Sequence, residues 1–205
     1  MVKKITMRNI KLKTVFWYFF AFFCIFSTII NFVLPSRRKE IYGFGLPSPL
    51  VIYINQDEHF SIAHPKTWSV LYMPEGIHGD IEEILMISPR RSFPFPYIPQ
   101  LTLARKVFEG NDLYQVATWG QIRKQLFYKY QSISLESTVM DGTTGLLRKY
   151  TWGGKSLFGD TVIQCIDWYL LHGNTGYDLS LCAASTQWDK VSEVFYQMIN
   201  SFQTW

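Results

Sequence analysis

The chain has 205 residues, 48% hydrophobic, 17% aromatic and 18% charged. That balance excludes a disordered or low-complexity chain and suits one domain plus a short extra segment. Thirteen Gly, nine Pro and three Cys without a period exclude a collagen, a coiled coil and a disulfide scaffold. The net charge of +4 is no sign of a nucleic-acid partner: Lys3, Lys4, Arg8, Lys11 and Lys13 hold five positive charges ahead of residue 36, and the remainder carries 15 basic against 16 acidic side chains.

Residues 1–14 form the basic head, and residues 15–34 follow as twenty positions without a charge. As a helix rising about 1.5 Å per residue, this segment spans about 30 Å, the thickness of a bilayer core. Trp17 and Tyr18 stand near one end, where amphipathic rings favour the interface, and Pro35 stops the helix before Arg37, Arg38 and Lys39. A core helix would not carry charged flanks at both ends. A cleaved signal peptide would have a shorter apolar stretch and small residues before its cut, where Phe and Ile crowd this one. The segment reads as an uncleaved single-span anchor in contact with membrane lipid. Five Lys/Arg before it against three just after it put the amino terminus in the cytoplasm and the domain outside the cell membrane.

Residues 35–50, with Gly43, Gly45, Pro47 and Pro49, read as a linker, and a domain is expected over 51–205. Short β-prone runs predict strands at 51–55, 59–63, 68–73, 83–88, 101–108, 133–140 and 144–152, with Asp141-Gly142 as a tight turn between the last two. Leu113, Val116, Trp119, Ile122 and Leu126 recur at helical steps and predict a helix over 112–127. A second helix is expected over 187–202, with Trp188, Val191, Phe195, Met198 and Phe202 as its stripe and Thr186 with Asp189 as a capping box. Both stripes read as faces packed on a sheet.

The last hairpin joins strands 161–171 and 177–184 through Gly173-Asn174, a favoured two-residue turn. Its register gathers Val162, Ile166, Trp168 and Leu170 with Tyr177, Leu179, Leu181 and Ala183 on one face, and Asp167, Tyr169, Asp178 and Ser180 on the other. Such a division predicts a half-buried pair with its polar face in water. The same register sets Cys165 opposite Cys182, within reach of a disulfide if the domain is outside the cytoplasm; two free thiols are the alternative.

Motifs for chemistry are missing: there is no G-x-S-x-G, P-loop, H-E-x-x-H or C-x-x-C. His59 and His64 point to opposite faces of a strand, Asp57-Glu58 and Glu82-Glu83 read as solvated acids, and His172 reads as a turn residue. No catalytic, cofactor or metal residue is assigned, and a non-enzymatic protein is expected. One segment does invite a functional reading. Pro89, Pro94, Pro96 and Pro99 keep 89–99 out of helix and central strand, so Arg90, Arg91, Phe93, Phe95 and Tyr97 become candidate partner contacts. The alternatives are a crossover whose rings enter the core and a loop dipping into the membrane interface.

Phe60-Ser61-Ile62-Ala63-His64-Pro65 followed by Trp68-Ser69-Val70 resembles the opening of the PsbP/Mog1-like family, and the strand-to-helix ending, closing on Ser201-Phe202, is similar too. The resemblance covers residues 50–205 and is carried by those two ends. It implies an α+β fold, an antiparallel sheet with helices packed on both faces as an α/β/α sandwich. It also implies a binding module, since the family includes extrinsic photosystem subunits, a small-GTPase regulator and bacterial envelope proteins. No catalytic residues come with it. The anchor sets this chain apart from the photosystem members. The expectation is therefore a membrane-anchored, non-catalytic module with a protein or small-ligand partner, no cofactor and no nucleic acid. The alternatives are a scaffolding subunit of an envelope or secretion complex and, after it, an anchored hydrolase.

Overall fold

The computed structural model describes residues 49–77, 80, 82–89, 99–156 and 159–205. The anchor at 15–34 and the contact candidates Arg90, Arg91, Phe93, Phe95 and Tyr97 lie outside them. Among the described residues no helix is long and apolar enough to cross a membrane.

The order of elements is β1 (Leu50–Asn55), β2 (Phe60–Pro65), β3 (Trp68–Tyr72), β4 (Glu83–Pro89), β5 (Gln100–Val107), α1 (Leu113–Lys124), β6 (Gln131–Met140), β7 (Thr143–Ser156), β8 (Gly159–His172), β9 (Thr175–Ala184), α2 (Ser185–Asn200) and β10 (Gln203–Thr204). Seven strands pair in the order β3-β4-β5-β9-β8-β7-β6, every pairing antiparallel, while β1, β2 and β10 form a small sheet. The turns are legible in residue type. Asp141 and Gly142 take φ of 47° and 77°, the twist a two-residue hairpin needs, and Gly173 takes 60°. The two-residue strand β10, paired with Phe60 and Ser61, is too short to leave a sequence pattern.

One face of the large sheet is the apolar one. Leu85, Ile87, Leu101, Leu103, Ile166, Trp168, Leu179 and Leu181 meet Val191, Val194, Phe195, Met198 and Ile199 of α2, and Phe60 and Ile62 of β2 join the same core. Each such side chain contributes about 1.5–3 kcal/mol by leaving water, so this layer dominates the fold. The expected capping box of α2 does not form. β9 runs directly into the helix, Ala184 becomes the N-cap without a side-chain bond, and Ser185 donates to the Val162 carbonyl at 3.0 Å instead. Phe202 lies past the helix end and is buried.

The other face corrects two expectations. It is covered by α1, so Asp167 and Asp178 are 0% and 1% exposed rather than solvated. The expected stripe of the helix is only partly the inward one: Val116 and Trp119 are buried as expected, but Ala117, Gly120 and Lys124 are buried beside them, while Ile122 is 59% exposed and Leu126, beyond the helix, is 93% exposed. The reason lies below it, where two carboxylates, not an apolar patch, await the last turn.

Candidate functional site

Pairing register assembles the polar face row by row. Tyr150 stands opposite Cys165, and Cys165 opposite Cys182; Arg148 opposite Asp167, and Asp167 opposite Ser180; Leu146 opposite Tyr169, and Tyr169 opposite Asp178. Asp178 in turn faces Ala104, and Ala104 faces Glu83 across β4. Small residues let α1 settle onto this surface. A β-carbon at Gly120 would collide with the Tyr169 ring and stand 3.0 Å from Asp178 Oδ2. Four positions on, Lys124 Nζ donates to Asp167 Oδ2 at 2.6 Å and to Asp178 Oδ2 at 2.7 Å.

The network extends outward from that centre. Tyr169 Oη donates to Asp167 Oδ2 at 2.8 Å and Tyr150 Oη to Asp167 Oδ1 at 3.2 Å. Arg123 Nη1 reaches Asp178 at 3.2 Å, its Nε reaches Asp80 at 3.0 Å, and Glu83 lies 3.7 Å from its Nη2. Trp119 Nε1 donates to Glu82 at 2.7 Å, and Lys106 pairs with the same carboxylate at 3.0 Å. Glu58, Glu82 and Glu83 are thus not simply solvated, Glu58 pairing with Arg105 at 2.8 Å, whereas Asp57 is exposed as expected.

Burial governs the electrostatics. It pushes the Glu83 carboxyl up to about 7, with Arg123 opposing and Asp80 and Asp178 adding to the rise. It likewise raises Asp178 against the opposing charge of Lys124. Burial would raise Asp80 too, but hydrogen bonds and charge from Arg123 hold it below its ordinary value. Tyr150 and Tyr169 are driven upward by burial and by Asp167, so both stay phenols that donate. The arrangement is an ionic clamp between helix and sheet, with the Lys124 ammonium and the Arg123 guanidinium already committed to carboxylates. Among the described residues no group of three or more His, Cys, Asp or Glu could hold a metal ion.

Cys165 and Cys182 are joined as a disulfide, their Cα atoms 4.2 Å apart, with Tyr150 Oη 3.8 Å from the Cys182 sulfur. His64 is buried, its Nδ1 3.0 Å from the Pro65 carbonyl, and burial lowers its pKa; His59 sits edge-on to Trp205. A concavity lies elsewhere. Beside α1 lies an open cleft of about 470 Å³ lined by Lys106, Phe108, Tyr114, Thr118, Trp119 and Ile122. Phe108 and Trp119 meet edge to face with centroids 5.8 Å apart, and Tyr114 is 62% exposed.

No family model and no curated protein matches the sequence. Solved structures do match the fold. The solution structure of cyanobacterial PsbP (CyanoP) from Synechocystis superposes with a TM-score of 0.57 at 12% identity, covering 78% of this chain and 96% of that one. The fold is PsbP/Mog1-like. A mutant of the protein Mog1 gives a TM-score of 0.50 at 9% identity over 76% of this chain and 96% of that one. A Bacteroides thetaiotaomicron protein gives 0.51 at 9% over 75% of this chain and 48% of that one. At these identities the likeness is one of architecture.

Sequence reasoning missed the clamp, although its parts had visible signals. The hairpin register alone places Asp167 and Asp178 on one face near each other, and Arg123-Lys124 is the only adjacent basic pair on the helix between 112 and 127. Two acids on a strand face beside a helix carrying two bases and an interior glycine is the pattern that points to burial.

Proposed function

We propose that the chain is a membrane-anchored, non-catalytic binding module whose contact surface is the cleft along α1. The cleft carries the reading: it presents exposed aromatic and aliphatic side chains on a helix that the Lys124 and Arg123 pairs hold rigidly to the sheet. Aromatic anchors on a preordered element lose little entropy on binding. The PsbP/Mog1-like fold supports a module of this kind, and the charge-free segment 15–34 supports the anchor. The test is photo-crosslinking in native membranes from Ile122, with Val162, 53% exposed and away from the cleft, as control. Phe95 in the proline-rich segment serves as a third position. A discrete adduct from Ile122 and none from Val162 is expected. An adduct from Phe95 alone would move the contact surface to that segment, and none at any position would overturn the binding role.

A further inference from the structure

We infer that the outer face of β1 docks on an anionic lipid surface, an inference that rests on the membrane-anchored reading above. Among the described residues β1 is the edge of its sheet, paired only with β2. Leu50, Ile52 and Ile54 alternate along it and are 39%, 69% and 54% exposed, so three aliphatic side chains form one ridge in the solvent. Their partners on β2 are Pro65, Ala63 and Ser61, and none of the six is charged. A row of this kind on an edge strand is a liability unless something covers it.

Chain position and charge say what does. Of the other exposed apolar groups, Leu71 and Met73 follow in the next part of the chain but are 41% exposed each and less so than Ile52 and Ile54, whereas Val107, Ile122, Leu126, Ile133 and Val139 lie much further along it. Only fifteen residues separate Leu34, the end of the apolar segment, from Leu50, a reach of at most roughly 55 Å even fully extended. Charge along the hairpin is polarised to match. Lys66 lies at the Leu50 end, its backbone N–H bonded to the Pro49 carbonyl at 3.0 Å, and Arg37, Arg38 and Lys39 precede that end in the sequence. The acids Asp57 and Glu58 sit at the opposite end, in the β1–β2 turn. Aliphatic side chains flanked by Lys and Arg are the combination that an interface of acyl chains beneath anionic headgroups receives.

The full chain, with Cys24→Ser and Ile52→Cys, is labelled with an environment-sensitive fluorophore and reconstituted in phosphatidylcholine–phosphatidylserine vesicles carrying lipids with a shallow acyl-chain quencher. The expected result is a blue-shifted emission lost to the lipid quencher, weakened without phosphatidylserine and by Lys66→Glu, while a label at Val139→Cys stays aqueous and unquenched. An aqueous label at Ile52 overturns the inference. So does a blue-shifted label that the lipid quencher does not reach, since a second copy or another protein then covers the ridge. An alkaline carbonate wash of the same vesicles separates the two readings: release of the chain overturns the anchor, and retention with an unquenched label overturns the docking alone.

Discussion

Lys124 is the side chain on which the helix-to-sheet contact turns. Its side chain, 7% exposed, places the ammonium between two carboxylates that are themselves fully buried, with Nζ 5.8 and 5.9 Å from the ring centroids of Tyr150 and Tyr169. Exposed ion pairs contribute little because water screens them, but removing one partner of a buried set leaves the others charged in a poor solvent. Lys124→Met keeps most of the length and the apolar contacts and deletes the charge with its two hydrogen bonds. It should destabilise the domain by about 3–5 kcal/mol in urea unfolding. Adding Asp167→Asn and Asp178→Asn should return part of that loss, because the orphaned charges go with the lysine. A Lys124→Met midpoint unchanged from that of the parent would show that Arg123 and the two tyrosines hold the carboxylates unaided.

At the level of the element, α1 is held close by what it lacks. Replacing an interior glycine by alanine ordinarily gains about 1 kcal/mol of helix propensity. At Gly120 the new methyl would enter the Tyr169 ring, and that ring cannot swing aside without giving up its bond to Asp167. Overpacking of this kind costs about 1–3 kcal/mol, so after the propensity gain Gly120→Ala should be net destabilising by up to about 2 kcal/mol, read as a fall in thermal midpoint. A rise would mean that the helix can ride outward. The same contact explains which elements the sequence discloses. α2 has a stripe that is apolar throughout, so its spacing alone identifies the packed face. On α1 two stripes compete. The one continuing through Ile122 towards Leu126 is more hydrophobic, yet the one through Ala117, Gly120 and Lys124 faces the sheet, with Trp119 buried at its margin. A lysine at a core position is legible only once the acids beneath it are known, and those belong to a hairpin over forty residues away.

For the molecule as a whole, the strands and their turns followed from alternation and from Asp-Gly and Gly-Asn pairs, because one apolar face suffices to fix register. What alternation could not convey is that the second face is also enclosed, and that difference makes stability depend on pH. Glu83 titrates ordinarily near 4.5 and near 7 in the folded protein, so the native state holds this proton more tightly than the unfolded chain. Its contribution is therefore complete below about pH 4.5 and lost as pH rises through about 7, and Asp178, raised by burial, acts in the same direction. Two groups oppose it. Buried His64, lowered in pKa, adds stability as pH rises, and Asp80, held low by Arg123, loses its contribution only in acid. Raw pH curves mix these terms, whereas a comparison with Glu83→Gln, which keeps the shape of the protonated acid, isolates one. Near pH 4.5 the two proteins should unfold at similar urea concentrations. At pH 8 the variant should be more stable by about 2–3 kcal/mol, somewhat less than the full shift would give, since the carboxylate is 17% exposed and Arg123 lies 3.7 Å away. A stability difference that is the same at both pH values would show that Glu83 titrates in the folded protein as it does in the unfolded chain, and that burial in the clamp does not raise it.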